Sequence, residues 1–360
     1  MRNILFVAHD PGGANVIKPV IEHFAEQKFD EQNNIHSFHL LLGPAASRIE
    51  SRGESVSIVR LETVPTPNFP NELSVRENDV ERLFQETRFD AVFTATSFNS
   101  NLERLCILHA NALHIPTFAI LDFWSNYRQR FTYEGRFDAP SVLFVADKRM
   151  EREAREALPS TEVVISGNPN LLSIAARYKH LRQPHQSLTP NRIRFFCENI
   201  RHYYPDKPVN EFTVVPHLLK GLRDAGFGGE LLIRPHPMES REPWLEWIAA
   251  TQATTPLPRL ALDTATFDEV LRDDCVAVGF TTMALLETAS VGIPTFSYQV
   301  NVPAEYFNLP FEEYEITRLL SESDVAGVLQ PPEQIDSLKA SDNAALAIIH
   351  ETLNKKIAGA

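Results

Sequence analysis

The chain of 360 residues carries 34 Lys and Arg against 47 Asp and Glu, a net charge of −13, with 43% apolar and 22% charged residues. Such a composition excludes a disordered chain, and the acidic excess excludes broad binding of nucleic acid, which needs a surplus of Lys and Arg. A local basic pocket for a small anion stays open, and the length suits two domains of ordinary size.

In chain order, the first apolar run is Ile4–Ala8, followed by His9 and Asp10. It is too short for a secretory leader, and no window nears the roughly 18 apolar residues of a membrane span. A cytoplasmic protein is expected. Peripheral membrane association stays open, although no strongly basic amphipathic helix announces it. Cys106, Cys197 and Cys275 lie far apart in apolar contexts without a CxxC, as buried free thiols of a reducing compartment would.

Strands are predicted at Ile4–Ala8, Phe38–Leu42, Ser55–Leu61, Ala91–Thr94, Thr117–Leu121, Val142–Val145 and Val163–Ile165. Helices are predicted at Ala14–Gln27, Val80–Thr87, Leu102–Leu113 and Lys148–Leu158. This alternation predicts a parallel sheet covered by helices. The turn-forming Ser166–Asn170, a helical stretch and the polar, Pro-containing Arg182–Asn191 read as a linker. A second series follows: Ile193–Phe196, Glu211–Ala225, Glu230–Ile233, Trp244–Thr251, Arg259–Leu262, Thr266–Leu271, Val276–Gly279, Met283–Val291 and Pro294–Tyr298. The predicted organisation is an α/β protein of two Rossmann-like domains facing across a cleft. Its parts are an acceptor-side domain over 1–166, a hinge over 167–191, a donor-binding domain over 192–335, and a helical segment over 336–360 that packs back on the first domain.

The first predicted strand runs into His9–Asp10–Pro11–Gly12–Gly13. Gly12 and Gly13 would let a ligand approach the backbone and free amides for an anion. The pattern is neither GxGxxG nor a P-loop. A carboxylate at a strand end can act as general base, which makes Asp10 the first candidate and His9 the second. The bland alternative is an ordinary tight turn capped by Asp10. After Thr117–Leu121, the loop Asp122–Arg130 concentrates an acid, aromatics and arginines. Asp122, Trp124, Tyr127 and Arg128 are candidates for acceptor recognition, against packing beneath the loop. Thr94–Asn101 reads first as a cap for the helix at Leu102.

The sharper pair of signals comes late. Leu231–Ile233 ends in Arg234–Pro235–His236–Pro237, where two prolines fix the backbone around an imidazole. Val276–Gly279 ends in Phe280–Thr281–Thr282 and turns into a helix, whose N-terminal N–H groups and dipole favour an anion. Arg234, His236, Thr281 and Thr282 are thus candidates for holding a phosphate, Glu287 for reaching ribose hydroxyls or lying on a solvated face. There is no HExxH and no Asp-x-Asp, so neither a zinc site nor a DxD-held divalent ion is expected, and no cofactor is called for.

These motifs resemble those of GT-B glycosyltransferases and of sugar-nucleotide 2-epimerases. Val164–Pro169 looks like the segment with which the epimerases leave their first domain. Arg234–Pro237 resembles the His-Pro motif of bacterial sialyltransferases, polysialyltransferases and CDP-glycerol glycerophosphotransferases. Gly279–Thr282, with Gly292–Pro294 downstream, looks like their paired-hydroxyl donor-phosphate motif. The resemblance implies that His236 assists a departing phosphate and that Thr281 and Thr282 bind it. It also implies that Glu198, in Phe195–Glu198, lies near the nucleotide. The expectation is a metal-independent, inverting transferase of cell-surface polysaccharide synthesis. Its partners would be a nucleotide sugar or sugar diphosphate donor and a glycan or glycolipid acceptor. A sugar-nucleotide epimerase or hydrolase, or a non-catalytic binding protein of the same pathway, is the alternative.

Overall fold

The computed structural model describes residues 2–26, 35–50, 55–66, 69–97, 100–178, 190–203, 205–206, 208–237, 239–255, 257–304, 309–331 and 342–359. The chain folds as two units, Met1–Ser173 with Ala340–Ala360, and Ile174–Lys339.

The first unit is built on a sheet of seven parallel strands: β1 (Arg2–Ala8), β2 (Ile35–Leu41), β3 (Val56–Ile58), β4 (Ala91–Thr94), β5 (Thr117–Ile120), β6 (Val142–Val145) and β7 (Glu162–Ile165). Their order across the sheet is β7-β6-β5-β4-β1-β2-β3. The direction of winding therefore reverses between β1 and β4, and ligands of open α/β sheets sit outside that reversal, at the carboxyl ends. Side chains alternate between faces. Ile4, Phe6 and Ala8 of β1 enter one core with Phe93, Phe118, Phe144 and the helix α1 (Pro11–Glu26). Leu5 and Val7 enter the other with the helix α2 (Leu102–Ala112).

The second unit repeats the plan with six strands: β8 (Arg192–Phe196), β9 (Glu230–Arg234), β10 (Arg259–Leu262), β11 (Val276–Gly279), β12 (Thr295–Tyr298) and β13 (Thr317–Leu319). The order is β10-β9-β8-β11-β12-β13, so its reversal lies between β8 and β11. One face packs Ile193, Phe195, Ile233, Val278 and Phe296 against the helix α3 (Glu211–Asp224) and Trp244. The opposite face of β8–β10 is charged. Buried Arg194 pairs with Asp263 at 3.1 Å and Asp273 at 2.6 Å.

Several elements escaped the sequence reading. The antiparallel pair Thr63–Thr66 and Phe69–Val75 lies in a stretch whose prolines read as loop. The pair Thr132–Tyr133 and Arg136–Phe137, and the three-residue β13, are too short for a periodic signal. The helical stretch read in the linker, Leu171–Leu181, corresponds to a helix at Pro169–Tyr178, and residues 179–189 lie outside the described set. The last helix, α5 (Asp342–Ala358), belongs to the first unit. There Ile349 and Leu353 enter the core that α1 also lines, His350 packs on Phe24 of α1, and Lys356 pairs with Glu162 at 2.6 Å. Among the described residues no helix is long and apolar enough to cross a membrane.

Candidate functional site

Each sheet reversal brings a separate group of chemistry-bearing residues together. In the first unit, Asp10 ends β1 and caps α1: its Oδ1 accepts the Gly13 N–H at 2.6 Å, and its carbonyl accepts the Ala14 N–H at 2.9 Å. Pro11 fits the first helical position because its missing N–H would have had no partner there. Thus Asp10 performs the capping role. The two glycines answer to packing. A Cβ on Gly12 would stand 2.4 Å from Asp122 Oδ2, and one on Gly13 would stand 2.7 Å from the Ala95 Cβ. The start of α1 consequently lies directly against the residues that leave β4 and β5.

Asp122, just past β5, completes this group. Its Oδ1 accepts from Arg130 Nη1 at 2.8 Å and from the Thr96 hydroxyl at 3.4 Å. Arg130, only 6% exposed, also donates to the Thr96 carbonyl and to the Ser125 carbonyl. Asp10, Gly12, Thr96, Asp122 and Arg130 thus gather at the carboxyl ends of β1, β4 and β5, the region where open α/β sheets form their ligand crevice. Thr96 and Arg130 were not singled out from sequence. The signal available was their position at or near a strand end, without the register needed to choose among several polar neighbours.

The other residues of the Asp122 loop are committed elsewhere. Trp124 is buried and donates its indole N–H to Asp147 at 2.8 Å. Tyr127 is buried and donates its hydroxyl to Glu153 at 2.7 Å. Arg128 is exposed and stacks on Phe137, 3.7 Å from the ring centre. None of the three joins that group, because Trp124 and Tyr127 turn to Asp147 and Glu153 at the helix Lys148–Ala157 and Arg128 turns to the short hairpin. His9 is fully buried beneath Gly43, with Nε2 accepting the Leu73 N–H at 3.3 Å. Burial pushes its pKa down to about 4, so a neutral imidazole without solvent access replaces the expected base. Near Asp10, Glu103 of α2 is buried, with no side chain bonded to its carboxyl. Desolvation, with the Asp10 charge second, pushes it up to about 8.

In the second unit, β8 runs into Glu198 and β11 into Phe280–Thr281–Thr282. Thr282 caps the helix α4 (Met283–Ser290), its hydroxyl accepting the Ala284 N–H at 3.4 Å. The N–H of Thr281 points to Glu198 Oε1 at 2.5 Å. Glu198 is half-buried and is pushed up to about 8 by desolvation, while the amides of Thr281, Thr282 and Phe280 pull the other way. Glu211 sits behind it, accepting the N–H groups of Glu198 and Ile200 at 2.9 and 3.0 Å. His236 follows β9 half-buried, its own N–H bound to Glu239 Oε2 at 3.1 Å. Glu287, half-buried, lies in the second turn of α4.

Arg234 departs from expectation. Alternation along β9 sends Ile233 into the apolar core and turns Arg234 to the charged face. There it pairs with Asp263 at 3.0 Å and donates to the Ala265 carbonyl at 2.8 Å. Arg234 is thus engaged on the charged face of the sheet, sharing Asp263 with Arg194, while His236 and the Phe280–Thr282 turn follow the ends of β9 and β11. Among the described residues, no three His, Cys, Asp or Glu side chains are placed to hold a metal ion. Cys106, Cys197 and Cys275 are buried thiols, none of them in a disulfide.

Neither a family model nor a curated protein matches the sequence. Solved structures do resemble it. UDP-GlcNAc 2-epimerase from Methanocaldococcus jannaschii superposes with a TM-score of 0.63 at 11% identity, over 98% of this chain and 100% of that one. S. aureus MnaA, in a co-structure with UDP, gives 0.60 at 12% identity over 99% and 98%. TcCGT1, in complex with UDP, gives 0.54 at 10% identity over 98% and 94%. At such identities the likeness is one of fold: two Rossmann-like units with parallel sheets, as in GT-B glycosyltransferases and sugar-nucleotide epimerases.

Proposed function

We propose that this chain is a metal-independent GT-B-type transferase of cell-surface polysaccharide synthesis. It would move a sugar from a phosphate-activated donor, a nucleotide sugar or a sugar diphosphate, to a hydroxyl of a glycan or glycolipid. The observation that carries the reading is the Phe280–Thr282 turn. At the β8/β11 reversal the Thr281 N–H meets a side-chain oxygen of Glu198, which is the contact a phosphate oxygen would make there. Thr281 and Thr282 add hydroxyls to the same seat. His236, held between prolines at the end of the neighbouring β9, would donate to the leaving phosphate. Glu287 is the residue we assign to the ribose hydroxyls.

The first unit would supply the acceptor side. Gly12 and Gly13 shape that crevice through packing and hold no phosphate in this reading. A carboxylate there takes the proton of the acceptor hydroxyl as its oxygen bonds to the anomeric carbon and the carbon–phosphate oxygen bond breaks. Direct displacement inverts that carbon. Asp10 remains the first base, since its Oδ2 is distinct from the oxygen that caps α1. Asp122 replaces buried His9 as the second. Electrostatic support of the leaving phosphate and the joint placement of two substrates each contribute several kcal/mol in such reactions. A cytoplasmic location, with peripheral membrane contact where the acceptor is a glycolipid, belongs to the same proposal.

A melting-temperature screen against UDP, CDP, CMP and ribosyl diphosphates tests the donor site, because a ligand bound only by the folded state raises the transition. No shift with any of them, at millimolar concentration, would leave a binding protein of another kind. The pair of carboxylates in the first-unit crevice favours one further reading, an epimerase or hydrolase. Turnover of a donor with no acceptor present selects it.

A further inference from the structure

The seat assigned to the donor phosphate is contested from within the chain. Glu198 reaches from the end of β8 across the β8/β11 reversal, and its Oε1 accepts the N–H of Thr281 at 2.5 Å. A backbone amide has one hydrogen to give, so a phosphate oxygen and Glu198 Oε1 compete for the same donor. We propose that the Glu198 carboxyl is an internal stand-in for the donor phosphate: it holds the Thr281 amide until a phosphate-bearing ligand displaces it. The inference rests on the donor-site reading and adds to it the residue that sets how tightly a phosphate is held.

The surroundings suit an exchange of this kind. Glu211, in the first turn of α3 and 1% exposed, accepts the N–H groups of Glu198 and Ile200 at 2.9 and 3.0 Å. Between them Asn199 takes the left-handed conformation, with φ at 60°, which Asn tolerates better than most residues. The main chain that carries Glu198 is therefore fixed. Its side chain is only half-buried, so the carboxyl has water to turn to when it leaves. The facing turn is fixed as well. The Phe280 carbonyl accepts the Ser297 hydroxyl at 2.6 Å, the Phe280 ring packs edge-on against Phe195, and Thr282 caps α4. Two rigid backbones thus meet across one side chain, and only that side chain has to move.

An internal competitor weakens every anion that uses the seat by one factor, the inverse of the fraction of molecules in which the amide is released. A hydrogen bond between a backbone N–H and an acid holds that fraction at about one in ten to one in a hundred. Inorganic phosphate, which has no other group to hold it, is then kept from filling the seat. A ligand with a second phosphate, a sugar or a base brings further contacts and still binds. The class that Glu198 admits is therefore the diphosphate-bearing donor.

The experiment is calorimetric titration of the whole chain with pyrophosphate and with UDP at pH 7.5, for the wild type, Glu198→Ala and Glu198→Asp. Ala removes the competing oxygen. Asp keeps an acid at the position but is one methylene too short to hold the Thr281 N–H. Both variants should bind each probe about tenfold to a hundredfold more tightly than the wild type. Without ligand both should melt lower, having lost the contact, and pyrophosphate should raise their melting temperatures by more than it raises that of the wild type. Affinities in both variants equal to or weaker than the wild type's overturn the displacement and leave the donor site standing. Tightening in the Ala variant with none in the Asp variant assigns the effect to repulsion at a distance and overturns it as well. No binding of either probe by any of the three proteins overturns the donor site and this inference together. The Asp variant decides the matter in the same terms if the Ala variant fails to fold.

Discussion

Substituting Glu103 by Gln should stabilise the first unit, and the gain should grow with pH. In the folded chain this carboxyl is buried behind Asp10, and desolvation pushes it from an ordinary 4.5 up to about 8. The unfolded chain releases its proton near 4.5, the folded chain near 8. Between those values the folded state binds more protons, so stability falls as pH rises, by about 1.4 kcal/mol per unit while the difference persists. The neutral-acid contribution is therefore complete below pH 4.5 and exhausted above pH 8. Gln has nearly the same shape and never ionises. The difference between variant and wild type should be small at pH 5 and reach several kcal/mol, on the order of 3–5, by pH 8. Urea unfolding at pH 5, 6, 7 and 8, with pulsed hydrogen-exchange mass spectrometry on the β1 and β4 peptides, isolates this unit from the other. Parallel pH curves for the two proteins would refute the argument and mean that Glu103 is solvated or paired in solution.

Other perturbations test the proposed roles. Asn still caps a helix but accepts no proton, so Asp10→Asn should lower kcat by about 10²–10⁴ with an unchanged melting temperature; an unchanged kcat would pass the role to Asp122. His236→Ala should cost about a hundredfold in kcat if it aids the leaving phosphate, and a folded variant with normal turnover would remove it from the mechanism. Gly12→Ala must push against an Asp122 carboxylate already fixed by Arg130, so a loss of about 1–3 kcal/mol is expected in thermal unfolding. Activity with a true substrate pair should survive EDTA; loss restored by magnesium or manganese would show that a divalent ion holds the phosphate.

Most of both sheets was legible because buried parallel strands are short apolar runs whose pattern depends on no distant partner. Val142–Val145 and Val276–Gly279 were readable to the residue. The site was legible only to the level of the strand end. Sequence can place Asp10, Asp122, Glu198 and Thr281 just beyond strands, but the sheet order decides which ends adjoin. Local periodicity says nothing about whether a polar side chain on β9 meets a ligand or a carboxylate. Arg234 was misread for that reason: Asp263, which takes its charge, arrives from another strand. Trp124 and Tyr127 were misread similarly, since Asp147 and Glu153 come from a later helix. His9 was betrayed by burial, which depends on the hairpin at Leu73 and the turn at Gly43.

The placement of α5 has a consequence for the order in which the molecule can be made. The first unit takes its last core side chains, Ile349 and Leu353, from residues translated after the entire second unit. A chain emerging from the ribosome therefore presents a finished β8–β13 sheet while the side of α1 that meets α5, at His23 and Phe24, is still uncovered. For the time needed to add that unit, roughly ten to thirty seconds at common synthesis rates, an apolar strip of the first unit awaits its cover. Maturation would run from the middle of the chain outward, and a stalled or truncated product would expose that same strip.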